Sequence, residues 1–376
     1  MEDTDATGGR CRHETDELTS MEKQYEVTIG MPVYNVEHYL RATLDSVLAQ
    51  DFESLEILLC DDCGTDASIS IAREYQQSHP RGCDIRIVRQ PENKGTGEAR
   101  NRLIDEARGR FLYFMDADDV IESDTISLLY DAAKKYDAQA VYGSYERIFI
   151  ENGREVKRVE ERYPMKVFTQ PDEFACYAYT TGIQVMHWNR LVDIRVYRDN
   201  QLRVTPVGAG YGEDFTFTVD FPTYVTRAVL LPDITYHFFL ADIATRLQQK
   251  RRTKKLQRRY MDIAVAAIDQ KKRRTELKGK PYYARRCAIL MMYSFSFVCQ
   301  ILSRRSEAVP PYTDREIRDA MWHPMSLIEV LRVTGSDRLR LLLSWLMSRF
   351  PPFLAVRLMY LVARLTHRLN HFEVAT

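Results

Sequence analysis

The sequence lacks the long apolar runs that are typical of membrane-spanning proteins. No uninterrupted stretch of about 18 apolar residues occurs among its 376 residues. The best candidate, 341–363, is interrupted by Arg349, Pro351, Pro352 and Arg357. We therefore expect no helix that crosses a membrane.

Cysteine is also scarce. Seven cysteines, an odd number, are scattered along the chain, and its first residues contain no apolar core of the kind that an export signal needs. Both observations favour a reducing, cytoplasmic compartment. Cys60 and Cys63 have C-x-x-C spacing, but no second pair and no nearby histidine completes a zinc site. We interpret them as incidental neighbours of Asp61 and Asp62.

The chain has no net charge at neutral pH, but the two signs are unevenly distributed. Residues 250–376 hold 26 lysines and arginines against 10 aspartates and glutamates, so the preceding residues carry the balancing negative charge. This uneven distribution indicates two regions with different roles. The basic region is a candidate for contact with an anionic surface.

Strand-like and helix-like segments alternate in the first part of the chain. Four apolar stretches indicate strands: VTIGM (27–31), EILLC (56–60), IRIV (85–88) and FLYFM (111–115). Alternation with helices of about 10–15 residues predicts an α/β fold with a mostly parallel sheet. Because ligands bind at the carboxyl ends of such strands, we expect Pro32, Asp62 and Asp116 to lie along one edge.

Composition divides the chain into three parts. Residues 1–22 are polar and without periodicity, which predicts a disordered segment. The α/β pattern and a less regular, aromatic-rich stretch fill 23–250, and a charged sequence with a helical pattern fills 251–376. We therefore predict one α/β domain followed by a basic, mainly helical C-terminal region.

The motif D-x-D follows the buried strand that ends near Met115. Asp116 and Asp118 offer carboxylates to a hard cation, and Mg²⁺ or Mn²⁺ would keep further positions open for phosphate oxygens. On its own the motif is weak, since D-x-D arises by chance in solvated turns. Its position, in line with CDDCGTD (60–66) after another strand, strengthens the prediction.

Four motifs occur in order between residue 25 and about residue 245. They are PVYN (32–35) after a strand, CDDCGTD (60–66), NKGTGEARN (93–101) leading into the D-x-D, and GEDFTF (212–217). In this order they resemble glycosyltransferase family 2. The resemblance implies the GT-A fold, a Rossmann-like mixed sheet flanked by helices. The sequence departs from the family pattern at Cys63 and Gly64, and it has Arg190 where the family often has lysine.

The resemblance also implies residue roles on the donor side. Asp116 would hold the ribose near the metal, and Asp118 would bind the metal directly. Residues that would contact the nucleotide are Pro32, Val33 and Tyr34 at the base, Asp62 at a base N–H group, and Asn93, Lys94 and Arg100 beside the diphosphate.

On the acceptor side, the resemblance makes Asp214 the catalytic base. It would remove a proton from the acceptor hydroxyl, and a single displacement would invert the anomeric centre. Simple capping of the helix that begins here is the alternative, and the two roles are compatible. The glycine-containing lead-in, 208–212, would be flexible.

Three further residues have open interpretations. His237 would be a third metal ligand, as in some relatives, or a core residue between aromatic neighbours. His187 and Trp188 would border the acceptor pocket together with Glu213, since a tryptophan face suits a sugar ring. Core packing is an equal alternative for Trp188.

The function implied is transfer of a sugar from a nucleotide-sugar donor, most simply a UDP-sugar, to a hydroxyl of a saccharide or lipid-linked acceptor. The setting implied is bacterial cell-surface polysaccharide synthesis, and no nucleic-acid partner is expected. The first alternative, a sugar nucleotidyltransferase, would need a glycine-rich, basic phosphate loop near residue 30, and GMPVYNV does not match one. An inactive scaffold would have no reason to keep Asp62, Asp116, Asp118 and Asp214. The third alternative, a glycoside hydrolase, has no use for the D-x-D.

The segment 353–369 has a pattern that suits the inner membrane surface. Leucines recur at helical spacing beside a second stripe of Arg357, Arg364 and Arg368. We predict peripheral docking without insertion. A helix packed on the α/β domain with a solvated arginine edge is the alternative.

Overall fold

The structure of the protein, a computed structural model, describes residues 24–181, 186–206, 213–240 and 257–366. The predicted disordered segment 1–22, the predicted boundary near residue 250 and the glycine-containing lead-in to Asp214 lie outside these residues.

A ten-stranded sheet forms the centre of the first region. Its strands are β1 Val27–Val33, β2 Leu55–Asp61, β3 Ile85–Arg89, β4 Phe111–Phe114, β5 Val120–Ile121, β6 Ala140–Glu151, β7 Arg154–Glu161, β8 Lys166–Phe168, β9 Arg190–Asp193 and β10 Ala228–Leu240. The order is β3-β2-β1-β4-β9-β6-β10-β5, with β7 paired to β6 and β8 to β10. Strands β1 to β4 are mutually parallel, whereas β9 is antiparallel to β4 and β6. The predicted mixed sheet is confirmed.

Helices cover both faces of this sheet. The helices of the first region are α1 Leu40–Leu48, α2 Ser68–Ser78, α3 Thr96–Glu106, α4 Thr125–Lys135, α5 Glu173–Thr181, α6 Arg195–Arg198 and α7 Glu213–Thr218. Because side chains alternate along a strand, Leu59 joins the core with α1, α2 and α4, and Leu58 joins the core with α3, α6 and α7. The result is the predicted helix–sheet–helix sandwich.

The C-terminal region is helical, as predicted. Its helices are α8 Arg258–Lys272, α9 Tyr283–Ser303, α10 Asp314–Asp319, α11 Leu327–Arg332, α12 Ser336–Arg349 and α13 Pro352–Leu365. They enclose a core of their own, which Phe215 of α7 also joins. Phe217 of the same helix belongs to the sheet core instead. Just beyond α7, the buried Asp220 accepts hydrogen bonds from Arg286 of α9. Helix α7 therefore connects the two regions.

Within the described residues, α9 is the one helix that is long and apolar enough to cross a membrane by length and composition. Its apolar window has a mean hydropathy of 1.4, and 56% of that window is buried inside the protein. The stretch 341–363, the best candidate in the sequence, is divided between α12 and α13.

Candidate active site

The first acidic groups of the site lie just beyond the carboxyl ends of the parallel strands β2 and β4, which flank β1. Strand β1 lies between β2 and β4, with Val33 opposite Asp61 and Gly30 opposite Phe114. The residues that follow β2 and β4 therefore emerge at the same edge of the sheet, on either side of β1. This is the edge at which a parallel sheet binds its ligands.

Residues 116–119, which we name the acidic turn, follow β4. The carboxylates of Asp116, Asp118 and Asp119 each offer an oxygen within 4.8 Å of the others. Asp118 is exposed, Asp116 is partly exposed, and Asp119 is fully buried. Burial and the two neighbouring carboxylates raise the pKa of Asp119 well above its ordinary value. An all-carboxylate set of this kind fits Mg²⁺ or Mn²⁺, which prefer oxygen ligands.

A tyrosine that sequence reasoning missed holds the acidic turn. The Tyr236 hydroxyl donates to Asp119 Oδ2 at 2.7 Å and accepts from the Asp116 N–H at 3.2 Å. The backbone N–H of Phe239 donates to the other oxygen of Asp119 at 2.9 Å. Trp188 stacks on the Tyr236 ring with centroids 4.4 Å apart. Tyr236 directly precedes His237 in the sequence, but only the fold brings its hydroxyl to the turn.

Asp62 holds the loop before α3. Its two carboxylate oxygens accept the backbone N–H groups of Lys94 and Gly95, each at 2.9 Å. Gly95 has a φ of 85°, a conformation that favours glycine. Asp62 is 3% exposed, and burial raises its pKa. The observed contacts of Asp62 therefore fix the loop that carries Asn93 and Lys94, both of which are exposed.

The residues predicted to line the nucleotide base differ in exposure. Tyr34 is 48% exposed and Pro32 is partly buried, so both can offer a surface. Val33 is 1% exposed, and its side chain belongs to the core beneath the sheet. A contact between Val33 and the base, which the resemblance implies, would therefore have to come from its backbone.

Arg100 of α3 is the cation at the centre of the site. It is buried, and it contacts Asp116 at 2.9 Å, Glu213 at 2.9 Å and Asp214 at 3.5 Å. Two of these carboxylates lie at the start of α7 and one in the acidic turn. A buried guanidinium is stabilised by such partners. Arg100 thus joins the two acidic groups, which the sequence separates by nearly 100 residues.

Asp214 and Glu213 differ in their surroundings. The Asp214 side chain is 45% exposed and the Glu213 side chain is 15% exposed. Burial raises the pKa of Glu213 to about 7, although Arg100 opposes the shift, and burial also raises the pKa of Asp214. Gly97 lies beneath Glu213, so that a Cβ there would come within 3.3 Å of the Glu213 carboxyl carbon. Asp214 is therefore the more accessible of the two carboxylates.

The structure corrects two of the acceptor predictions. His187 is 0% exposed and Trp188 is 2% exposed, so neither side chain borders an open pocket. Trp188 packs beneath the acidic turn through Tyr236. The His187 ring lies between Phe114 and Phe217, with its Nε2 atom 3.2 Å from Asp214 Oδ1.

The prediction that His237 is a metal ligand is not supported by the geometry. His237 lies on β10 and pairs with Val120, which directly follows the acidic turn. Its Nδ1 contacts Glu146 at 3.0 Å, and its Nε2 contacts Glu122 at 2.8 Å. Both ring nitrogens therefore face these two carboxylates, and the group of ligand atoms in the acidic turn does not include His237.

Comparison with known proteins finds similar sequences among glycosyltransferases. The sequence model of Glycosyl transferase family 2 matches residues 28–191. The putative glycosyltransferase EpsH of Bacillus subtilis is 30% identical over 228 residues, which is 60% of this chain and 64% of EpsH. The Escherichia coli UDP-Glc:alpha-D-GlcNAc-diphosphoundecaprenol beta-1,3-glucosyltransferase WfgD is 34% identical over 124 residues, which is 33% of this chain and 47% of WfgD. The chain thus matches less than two thirds of either relative.

A solved structure extends the likeness to the C-terminal helices. Residues 1–349 of Staphylococcus aureus TarS superpose with a TM-score of 0.59 at 18% sequence identity. The superposition covers 93% of this chain and 92% of that one. At this identity the likeness shows the fold alone. The matched sequence model covers less than half of this chain, and together with the curated relatives it supports a family 2 glycosyltransferase domain over residues 28–191.

Proposed function

We propose that the protein transfers a sugar from a UDP-sugar to a hydroxyl of a saccharide or lipid-linked acceptor, with inversion, in cell-surface polysaccharide synthesis. The observation that carries the proposal is the position of Arg100. Its guanidinium contacts Asp116 in the acidic turn and Asp214 on α7. A carboxylate that would hold the cation of the donor diphosphate and a carboxylate that would deprotonate the acceptor thereby contact one side chain.

The donor side rests on the acidic turn. Asp116 and Asp118 would hold Mg²⁺ or Mn²⁺, which when bound supplies Lewis-acid stabilisation of the leaving diphosphate. Asn93, Lys94 and Tyr34 lie exposed at the same edge of the sheet for contacts with the nucleotide. A uridine nucleotide is favoured by the relatives, because the name of WfgD specifies UDP-Glc and TarS was solved with UDP-GlcNAc.

The acceptor side rests on Asp214. Its carboxylate takes the proton of the acceptor hydroxyl while the hydroxyl oxygen bonds to the anomeric carbon. The bond from that carbon to the diphosphate breaks on the opposite face, and the electron pair leaves with the nucleoside diphosphate. A pKa raised by burial suits a base, since a more basic carboxylate accepts a proton more readily.

A binding and turnover panel tests this proposal. We expect UDP to raise the melting temperature only when Mn²⁺ or Mg²⁺ is present, and GDP and dTDP to raise it less. One labelled UDP-sugar should then be hydrolysed slowly and transferred faster when acceptor is added. Binding without any turnover would instead indicate an inactive scaffold, and formation of UTP and sugar 1-phosphate from the UDP-sugar on addition of inorganic pyrophosphate would indicate a nucleotidyltransferase.

We also propose that α13 contacts the membrane that would carry a lipid-linked acceptor. Its inward residues Ala355, Met359 and Ala363 are buried, whereas its outward face is exposed. The outward face comprises Phe353, Leu354, Arg357, Tyr360, Leu361, Arg364 and Leu365. No acidic residue occurs between residues 338 and 372, so this face offers only apolar and positive groups. That combination fits an anionic bilayer surface.

Co-sedimentation with anionic vesicles at low and high salt tests the membrane contact. Replacement of Leu361 and Leu365 by Gln should move the protein to the supernatant at low salt. The matched control is Val156→Gln, a substitution of a residue of equal exposure on β7. Wild type that stays in the supernatant at low salt would show that the outward face of α13 does not bind lipid.

A further inference from the structure

We propose that His187 is a positioning residue for Asp214, in which the neutral imidazole directs its Nε2–H group at the base carboxylate. This inference rests on the proposed function, because it assigns a partner to the base of that reaction. It replaces the acceptor contact that the sequence predicts for His187.

The ring of His187 is held in one place. It is 0% exposed, and its centroid lies 6.2 Å from that of the Phe114 ring, which is nearly perpendicular to it, and 4.6 Å from that of the Phe217 ring. Phe217 belongs to the same helix as Asp214, so α7 carries the carboxylate and also packs against the His187 ring. The distance from Nε2 to Asp214 Oδ1 is 3.2 Å, with an angle that does not yet give a well-aligned hydrogen bond. Catalytic hydrogen bonds commonly tighten when substrate binds.

The surroundings keep His187 uncharged. Burial lowers its pKa well below the ordinary value, and the positive charges of Arg100 and Arg190 lower it further. A neutral imidazole carries one N–H, and a carboxylate at 3.2 Å favours the tautomer with that proton on Nε2. Because His187 resists protonation, it does not compete with Asp214 for the proton of the acceptor.

A metal ion is the other occupant that this cluster suggests. His187, Glu213 and Asp214 offer three ligand atoms within 4.8 Å. However, the guanidinium of Arg100 already contacts both carboxylates, at 2.9 Å and 3.5 Å. Because two of the three ligand groups are already paired with this guanidinium, little negative charge remains for a metal ion, and the geometry favours the imidazole as a donor to Asp214.

Two substitutions separate positioning from packing. His187→Leu removes the N–H but keeps apolar volume between the aromatic rings, whereas His187→Gln keeps an N–H near the position of Nε2. We expect Leu to lower kcat for transfer about tenfold or more and to leave the Kd for UDP with Mn²⁺ unchanged. Gln should recover most of that loss. A packing role predicts the reverse order, because a buried apolar side chain is tolerated better than a buried amide.

A double substitution and a spectrum complete the test. If His187 acts through the base, His187→Leu should lower the transfer rate no further in Asp214→Asn than Asp214→Asn alone does. In ¹⁵N-histidine NMR spectra, His187 should be a neutral Nε2–H tautomer whose shift changes in Asp214→Asn. A kcat for His187→Leu within twofold of wild type, or a protonated ring, would overturn the inference. If wild type itself transferred no sugar, the proposed function would fail first, and the NMR result would still report on the contact.

Discussion

The acidic turn and helix α7 contact different nitrogens of Arg100, yet different forces hold them. Hydrogen bonds from Tyr236 and Phe239 fix the acidic turn, and all of these groups belong to the sheet. Helix α7 has six residues and is held mainly by packing, with Phe215 against the C-terminal helices. Thr43 of α1 and Arg100 of α3 also contact the acidic turn, so the donor side depends on the sheet and helices of the first region, whereas the acceptor side depends also on the C-terminal region. Substitutions on the two sides should be separable in their kinetic effects.

The largest effect is expected from Asp118→Ala. Removal of a carboxylate that would hold the cation should abolish turnover and the Mn²⁺-dependent binding of UDP, because the diphosphate then meets uncompensated negative charge. Excess EDTA should have the same effect on wild type. The rate of sugar transfer, measured in both experiments, checks this prediction. Full activity of wild type in EDTA would show that the reaction needs no metal ion.

Asp214→Asn should reduce transfer by about 10²–10⁴-fold, the usual range for loss of a general base. UDP affinity should change little, because Asp214 lies on the acceptor side of Arg100. Titration calorimetry with UDP and Mn²⁺ measures the second quantity. A variant that lost UDP affinity but kept its turnover rate would show that the two sides are not separable.

Tyr236→Phe should act on the donor side only. It removes the hydroxyl that links Asp119 with the Asp116 N–H, while the ring that stacks on Trp188 remains. Loss of such a support should weaken UDP–Mn²⁺ binding about tenfold. The KM for acceptor should stay constant. A change in the acceptor KM alone would contradict the assignment of Tyr236 to the donor side.

The pH dependence of transfer should report the acceptor side. A base works only when ionised, so the rate should fall as pH falls through its pKa. Because burial raises the pKa of Asp214, we expect the midpoint of this acid limb to lie above the ordinary pKa of an aspartate. The residual rate of Asp214→Asn should lack this dependence. An identical acid limb in that variant would assign it to another group.

The smallest effect is expected from Phe215→Leu, which loosens α7 from the C-terminal helices. Phe215 stacks on Tyr293 of α9. We expect a loss of about 1 kcal/mol in unfolding free energy and a severalfold higher KM for acceptor, with unchanged UDP affinity. Tyr293→Leu is the matched partner. If the two rings stabilise the protein by contacting each other, the double variant should lose less unfolding free energy than the sum of the losses in the two single variants.

The sequence predicted those features that are local or periodic. Strand alternation and the motifs around Asp62, Asp116 and Asp214 determine the parallel order and the edge where the carboxylates meet. The sequence did not predict the contacts of Tyr236 with Asp119 or of His187 with Asp214, because only the fold brings these pairs together. The burial of the Val33 side chain was not predicted, because it depends on the helices that cover the sheet. In the predicted leucine stripe of α13, residues 354, 361 and 365 are exposed, whereas Leu358 is partly buried against the C-terminal core. Arg357 and Arg364 of the predicted arginine stripe are exposed, and Arg368 lies outside the described residues.

Helix α7 has a consequence for protein engineering. Phe217 and Phe215, two residues apart, belong to the cores of different regions. A fragment that ended before α8 would expose Phe215 and leave the carboxylate of Asp220 without its partner Arg286. A chimera with another C-terminal region would have to bring its own equivalents of Tyr293 and Arg286. The first region therefore does not form an independent domain. In a chimera designed to exchange acceptor preference between relatives, α7 and the C-terminal helices should be taken from the same protein.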